Sequence, residues 1–319
     1  MNEAYVCKRL RKEFDKTGFT LLVYYGIMSA VVSVIMVMQM LYLMIVFPNM
    51  SEEMLTQTMM GNGWGYVLAT AIGAVILLLW KKKEFCFHTI WKPNRRMTVG
   101  SFFAILCVFL SAQLFFQIGA MVTEWFFNLF GLSVMESLEM ATGIEDTFSM
   151  FLYGCILAPI FEEVLFRGLL LRTLEPYGKK FAIFATAFLF GLFHANLLQS
   201  PFAFAVGLVL GYVTVEYSMV WAVILHMINN LVLGDLLPRI TELFQPWVGD
   251  VAFWGIIGVC TVAAIIICIV KRRKILWYLL DKRIHPWCMK SFFSSVGILA
   301  FSIFMLINIV LSLILQWIG

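Results

Sequence analysis

Nine stretches of this chain, roughly 19–47, 64–80, 97–123, 148–172, 181–198, 201–217, 219–237, 251–270 and 291–318, are apolar over a length that crosses a bilayer. A helix rising about 1.5 Å per residue needs about 20 residues to span the hydrocarbon core. Inside that core the backbone must satisfy its own hydrogen bonds, which a helix does within one segment. Since 62% of the 319 residues are hydrophobic and only 13% charged, the chain is predicted to be all-α. It is expected to form a polytopic membrane helical bundle of about nine transmembrane helices.

Charge sets the orientation. With the N-terminus in the cytoplasm, Lys8, Arg9, Arg11, Lys12 and Lys16 lie inside, followed by Lys81, Lys82, Lys83, Lys92, Arg95 and Arg96. Arg167, Arg172, Lys179 and Lys180 mark the next inner end, and Lys271, Arg272, Arg273, Lys274, Lys282, Arg283 and Lys290 the last inner loop. Every basic residue but Arg239 is thereby cytoplasmic, the bias that orients membrane proteins. The outer connections are acidic, with Glu52, Glu53, Glu124, Glu136, Glu139, Glu145 and Asp146. A net charge of +4 therefore reports topology. No nucleic-acid partner is indicated, and the basic loops are suited to anionic lipid headgroups.

The seven cysteines fall inside spans or on the cytoplasmic side, so no disulfide framework is expected. The first apolar run is too long for a cleaved leader and is read as a span. The chain divides into a cytoplasmic segment 1–18, helices one to three with an acidic outer loop over 19–147, a core of helices four to seven over 148–237, and two C-terminal helices with a basic loop over 238–319. No internal repeat is apparent.

The costly residues sit in the fourth span, where Glu162, Glu163 and Arg167 interrupt an apolar run. A carboxylate near a membrane helix centre costs about 2.5 to 3.5 kcal/mol on insertion scales, so each needs a partner, water or a task. Glu163 and Arg167 are four residues apart with the acid first, the favoured order for a helical ion pair, and they can neutralise each other. Glu162 points about 100 degrees away and is left unpaired, which makes it the candidate general base. Pro159 cannot donate to the carbonyl of Cys155 and is expected to bend the helix beside it.

Polar groups recur at similar depth on two further spans: His194 with Asn196, and His226 with Asn229 and Asn230. Counted from the inner ends, Glu162, His194, His226 and Asn230 lie at about 15, 20, 10 and 16 Å, the placement of one shared pocket. His226 and Asn230 share a helix face and can address one substrate oxygen, while Asn229 is placed on another face. A single membrane histidine or asparagine is ordinarily interhelical glue, and Glu163 with Arg167 could be purely structural. Convergence of several such groups favours a site. His88 and His285 flank basic loops as bystanders. Gly207 and Gly211 form a Gly-x-x-x-Gly packing face, and Ser200-Pro201 reads as a helix N-cap followed by proline.

The ordered set Glu162-Glu163-x-x-x-Arg167, Phe190-x-x-x-His194 and His226-x-x-x-Asn230 resembles the motifs of the CAAX protease and bacteriocin-processing family of intramembrane proteases, related to the type II CAAX prenyl endopeptidase. The resemblance covers about 148–237. It implies an endopeptidase in which Glu162 and His194 activate water, His226 and Asn230 stabilise the oxyanion, and Glu163 and Arg167 support them. It also implies a prenylated or leader-type peptide as partner. The host membrane would be a bacterial plasma membrane, or the endoplasmic reticulum in a eukaryote.

No cofactor is required by this scheme. Were the enzyme a zinc protease, Glu162, His194 and His226 would be the ligands. Two other classes use the same residues, a proton-coupled transporter and a non-catalytic immunity or scaffold protein of the family.

Overall fold

Long apolar runs fold here as long helices, and two of them change pitch beside Glu162 and Glu163 and at Asn229. The computed structural model describes residues 3–80, 85–135, 138, 147–281 and 284–318. Lys81, Lys82, Lys83, Glu136, Glu139, Glu145, Asp146, Lys282 and Arg283, used above for orientation, lie outside the described residues. So does the side chain of Cys86.

Among the described residues every regular element is helical. Helix α1 (Glu3–Val46) is followed by a short α2 (Glu52–Met60), α3 (Trp64–Trp80) and α4 (Val99–Asn128). Helix α5 runs continuously over 148–174 through α and π turns, and α6 (Lys179–Phe193) and α7 (Gln199–Glu216) follow. Helix α8 covers 219–242, again with a π segment, before α9 (Pro246–Val270), α10 (Arg272–Leu280), α11 (Pro286–Phe293) and α12 (Val296–Ile318).

Six helical stretches are long and apolar enough to cross a membrane: Val6–Val46, Glu52–Leu77, Val99–Asn128, Met219–Ile240, Trp247–Val270 and Val296–Leu315. The polytopic all-α architecture is therefore as expected. The remaining predicted spans are present as α5, α6 and α7, which differ in kind. Helix α5 carries the charges, and α6 has only 15 residues, about 22 Å of helix against a core of about 30 Å. These three lie at the centre. Leu165, Phe166, Leu169, Leu170 and Leu171 of α5 are buried, as are Phe181, Leu189 and Phe190 of α6 and Leu210 and Val213 of α7. The outer helices instead leave large apolar side chains exposed, among them Met38 and Leu41 of α1, Phe115 and Met121 of α4, and Val259 and Ile266 of α9.

Two local readings are corrected and one is extended. The helix that carries the first span runs on before residue 19. Helix α1 starts at Glu3, because Leu10 and Phe14 continue its apolar stripe and Phe14 packs against Tyr177, Phe181 and Phe292. The fifth span does not reach 198. It stops at Phe193 with His194 as its C-cap, and Ala195 then takes a positive φ of 47°.

The start of α7 is not capped by Ser200. Asn196 does this instead, its Oδ1 accepting from the N–H groups of Leu198 and Gln199 at 3.0 Å. An asparagine carboxamide satisfies two otherwise orphaned donors there.

Glycine brings α6 and α7 together. A Cβ on Gly191 would lie 2.7 Å from the Ser200 carbonyl oxygen, and one on Gly207 would lie 3.2 Å from Ala187. Gly211 faces Ile183 in the same way. The Gly-x-x-x-Gly face therefore does what small residues do in membranes, letting backbones approach. Gly18 and Gly297 close α1 onto α12 still more tightly.

Candidate active site

Helix pitch changes on both sides of Glu162 and Glu163 and again at Asn229. The segment Ala158–Glu163 is α-helical between two π segments, Leu152–Leu157 and Val164–Leu171. Pro159 has no N–H to give to the preceding turn, and the N–H of Ala158 reaches Tyr153, five residues back. The anticipated disturbance thus takes the form of a widened turn. Such π turns occur frequently at functional sites. In α8 the pitch changes at Asn229, where a π segment runs Asn229–Leu236.

Glu163 and Arg167 are both fully buried and form the expected ion pair, with Nη1 donating to Oε1 at 2.9 Å. The pair is not self-contained. Nδ1 of His226 also reaches Glu163 Oε1, at 3.0 Å, so three elements of chemistry join in one chain from Arg167 through Glu163 to His226. Arg167 further donates to the Gly207 carbonyl at 3.4 Å and lies 4.1 Å from the Phe190 ring centroid. The absence of a side chain at Gly207 leaves room for that contact. Glu163 Oε2 and Arg167 Nε have no hydrogen-bond partner among the described residues. One carboxylate oxygen therefore carries the whole polar load.

Glu162 occupies a different environment. Its side chain is 24% exposed, and Oε2 lies 3.8 Å from His226 Nε2, beyond direct hydrogen-bond distance. His194 Nδ1 lies 2.8 Å from the Phe190 carbonyl oxygen. A carbonyl only accepts, so Nδ1 carries the proton, and in the neutral ring Nε2 keeps its lone pair. His226 is held likewise through Nδ1 by a carboxylate. Both imidazoles are therefore fixed in orientation by partners behind them.

Glu162, His194, His226 and Asn230 all line one chamber of about 530 Å³. The predicted convergence of three helices is present. Two details differ from the sequence reading. Asn229 is in the same chamber as Asn230, since the π segment beginning there alters the spacing of faces. Asn230 is not free to pair with His226 alone: its Nδ2 donates to the Gly154 carbonyl at 3.0 Å, and its Oδ1 accepts from Asn229 at 3.1 Å. One N–H of its carboxamide is left for a ligand.

A residue missed by sequence reasoning completes this chain. Gln113 of α4 donates to Asn229 Oδ1 at 3.0 Å. The signal was present in the third span, where Gln113 and Gln117 are four residues apart among apolar neighbours.

His88 is exposed, and His285 caps α11 by accepting from Trp287 N–H at 3.3 Å, so both lie outside the site as expected. Among the described residues no three His, Cys, Asp or Glu side chains are grouped so as to hold a metal ion.

Residues 144–232 match the family described as Rce1-like, type II CAAX prenyl endopeptidase Rce1-like. The match contains every residue of the polar constellation except Gln113. No curated protein and no solved structure matches the chain.

Proposed function

We propose, taking as premise the Rce1-like, CAAX-protease-type domain at 144–232 of this integral membrane protein, that the chain is a glutamate-dependent intramembrane endopeptidase. The observation that carries the reading is the divergence of two adjacent acids. Glu163 is buried and spent on Arg167 and His226, while Glu162 stands in the chamber beside His194 and His226.

In the reaction, Glu162 takes a proton from a water whose position is also fixed by the Nε2 lone pair of His194. The water oxygen attacks the peptide carbonyl, and negative charge develops on the carbonyl oxygen. His226 in its imidazolium form, with Nδ1–H held on Glu163, donates from Nε2 to that oxygen, as does the free N–H of Asn230. Collapse of the tetrahedral intermediate breaks the C–N bond, and the proton held by Glu162 passes to the leaving amine. No metal enters this scheme. The substrate is a membrane-presented peptide, with prenylated and leader-type peptides as the two candidate classes. The setting would be a plasma membrane in a bacterium or the endoplasmic reticulum in a eukaryote.

The test is cleavage by purified protein in detergent. Wild type is expected to cut peptide substrates, with Glu162→Ala and His194→Ala inactive and Glu162→Gln reduced by about 10²- to 10⁴-fold. Cleavage by both alanine variants at the wild-type rate contradicts the proposal. Proton flux in proteoliposomes that is lost in Glu162→Gln, without any cleavage, would favour transport instead.

A further inference from the structure

Glu162 and His194 line two chambers, not one. The second, of about 440 Å³, lies on the other side of them from the carboxamides and is walled by α1 and α3. Tyr24, Met28 and Val32 of α1 and Tyr66 and Ala69 of α3 line it, and Tyr153, Ala158 and Phe193 belong to both chambers. The two spaces have different chemistry. Around the first stand Gln113, Gln117, Gln199, Asn229 and Asn230. Each carboxamide offers a donor and an acceptor, the complement of a peptide main chain whatever its sequence. The second contains no charged side chain except Glu162 and the titratable His194.

Resting on the endopeptidase reading, we propose that the α1/α3 chamber is the specificity subsite, taking one large apolar side chain beside the scissile bond. The carboxamide chamber then holds the adjoining main chain, and the bond to be cut lies at the wall between them. A space of this volume falls in the range that encloses a small ligand. Its aromatic and thioether lining suits a Phe, Leu or Met side chain. A basic side chain there would pair with Glu162 and withdraw it from catalysis, and an acidic one would be repelled by it. Selectivity by burial of a few methylenes is modest, about 10- to 200-fold between large and small side chains. Helices α1 and α3 lie outside the Rce1-like match, so the subsite is a property of this chain's own N-terminal helices.

The experiment uses the full-length protein in detergent with a randomised peptide library, cleavage sites being read by mass spectrometry. Wild type is expected to favour a large apolar residue at one position flanking the cut by about ten-fold or more over Ala, Asp or Lys. Ala69→Trp, which puts an indole into the chamber, should lower that Phe-to-Ala selectivity ratio at least about ten-fold. Ser33→Trp, at the exposed mouth, should shift it the same way and guards against a misfolded Ala69 variant. A ratio unchanged in both variants, or equal acceptance of Asp and Phe by wild type, overturns the subsite.

A second measurement does not depend on cleavage. A peptide carrying benzoylphenylalanine is photo-crosslinked to Glu162→Gln protein. Labelling is expected within residues 24–33 and 66–70, and labelling confined to α4 and α9 overturns the subsite. Labelling in the expected place by a protein whose wild type cuts nothing would retain the subsite and sink the protease reading.

Discussion

Glu162 and Glu163 are neighbours in sequence, and the surroundings of each decide what it can do. Removing one partner of a buried ion pair leaves the other charge uncompensated, at about 3–5 kcal/mol. Arg167→Ala, which strands the fully buried Glu163 carboxylate, should therefore lower thermal stability in detergent by that order. Glu162→Gln should leave the unfolding temperature nearly unchanged while abolishing most turnover, because Glu162 is partly exposed and makes no ion pair of hydrogen-bond length. A large loss of stability in Glu162→Gln, equal to that of Arg167→Ala, would assign both acids to the scaffold.

Elements position these residues through changes of pitch and close helix approach. The relay from Gln113 through Asn229 and Asn230 to the Gly154 carbonyl ties α4 and α8 to α5. Gln113→Leu, which removes the first donor, should reduce kcat about ten-fold, equivalent to about 1.4 kcal/mol of barrier. Its unfolding temperature should be preserved. If kcat is unaffected, Gln113 does not position Asn230. At the helix hairpin, Gly191→Val places a side chain against the Ser200 carbonyl. It should prevent folding, read as loss of the monodisperse peak in size-exclusion chromatography.

Much of this level was legible in the sequence. The i, i+4 relation of Glu163 and Arg167 foretold their pair, and Gly207 and Gly211 foretold the α6–α7 contact. Spacing alone did not show that a π turn brings Asn229 beside Asn230, since a face computed at constant pitch fails where pitch changes. Nor did it show that His226 shares Glu163 with Arg167, because that contact joins residues 63 positions apart.

At the scale of the molecule, apolar helices surround three central ones, and the polar constellation lies on and beside those three. The order of polar motifs along the chain identified that centre. The length of α1 was not legible, since it is set by tertiary packing of Phe14 against Phe181 and Phe292; nor was the early end of α6, where Ala195 takes a positive φ and Asn196 serves the start of the next helix. On the proposed glutamate scheme, which routes no step through a metal, exhaustive chelation should leave the cleavage rate within about two-fold, a barrier change of about 0.4 kcal/mol. Loss of activity on chelation, restored by zinc, would replace the glutamate scheme. The central claim is that Glu162 is the base of a peptide hydrolase. It is tested most directly by single-turnover cleavage of a peptide by wild type and Glu162→Gln at matched stability. The account predicts product from wild type and at least about 10²-fold slower cleavage by the variant; equal rates would contradict it.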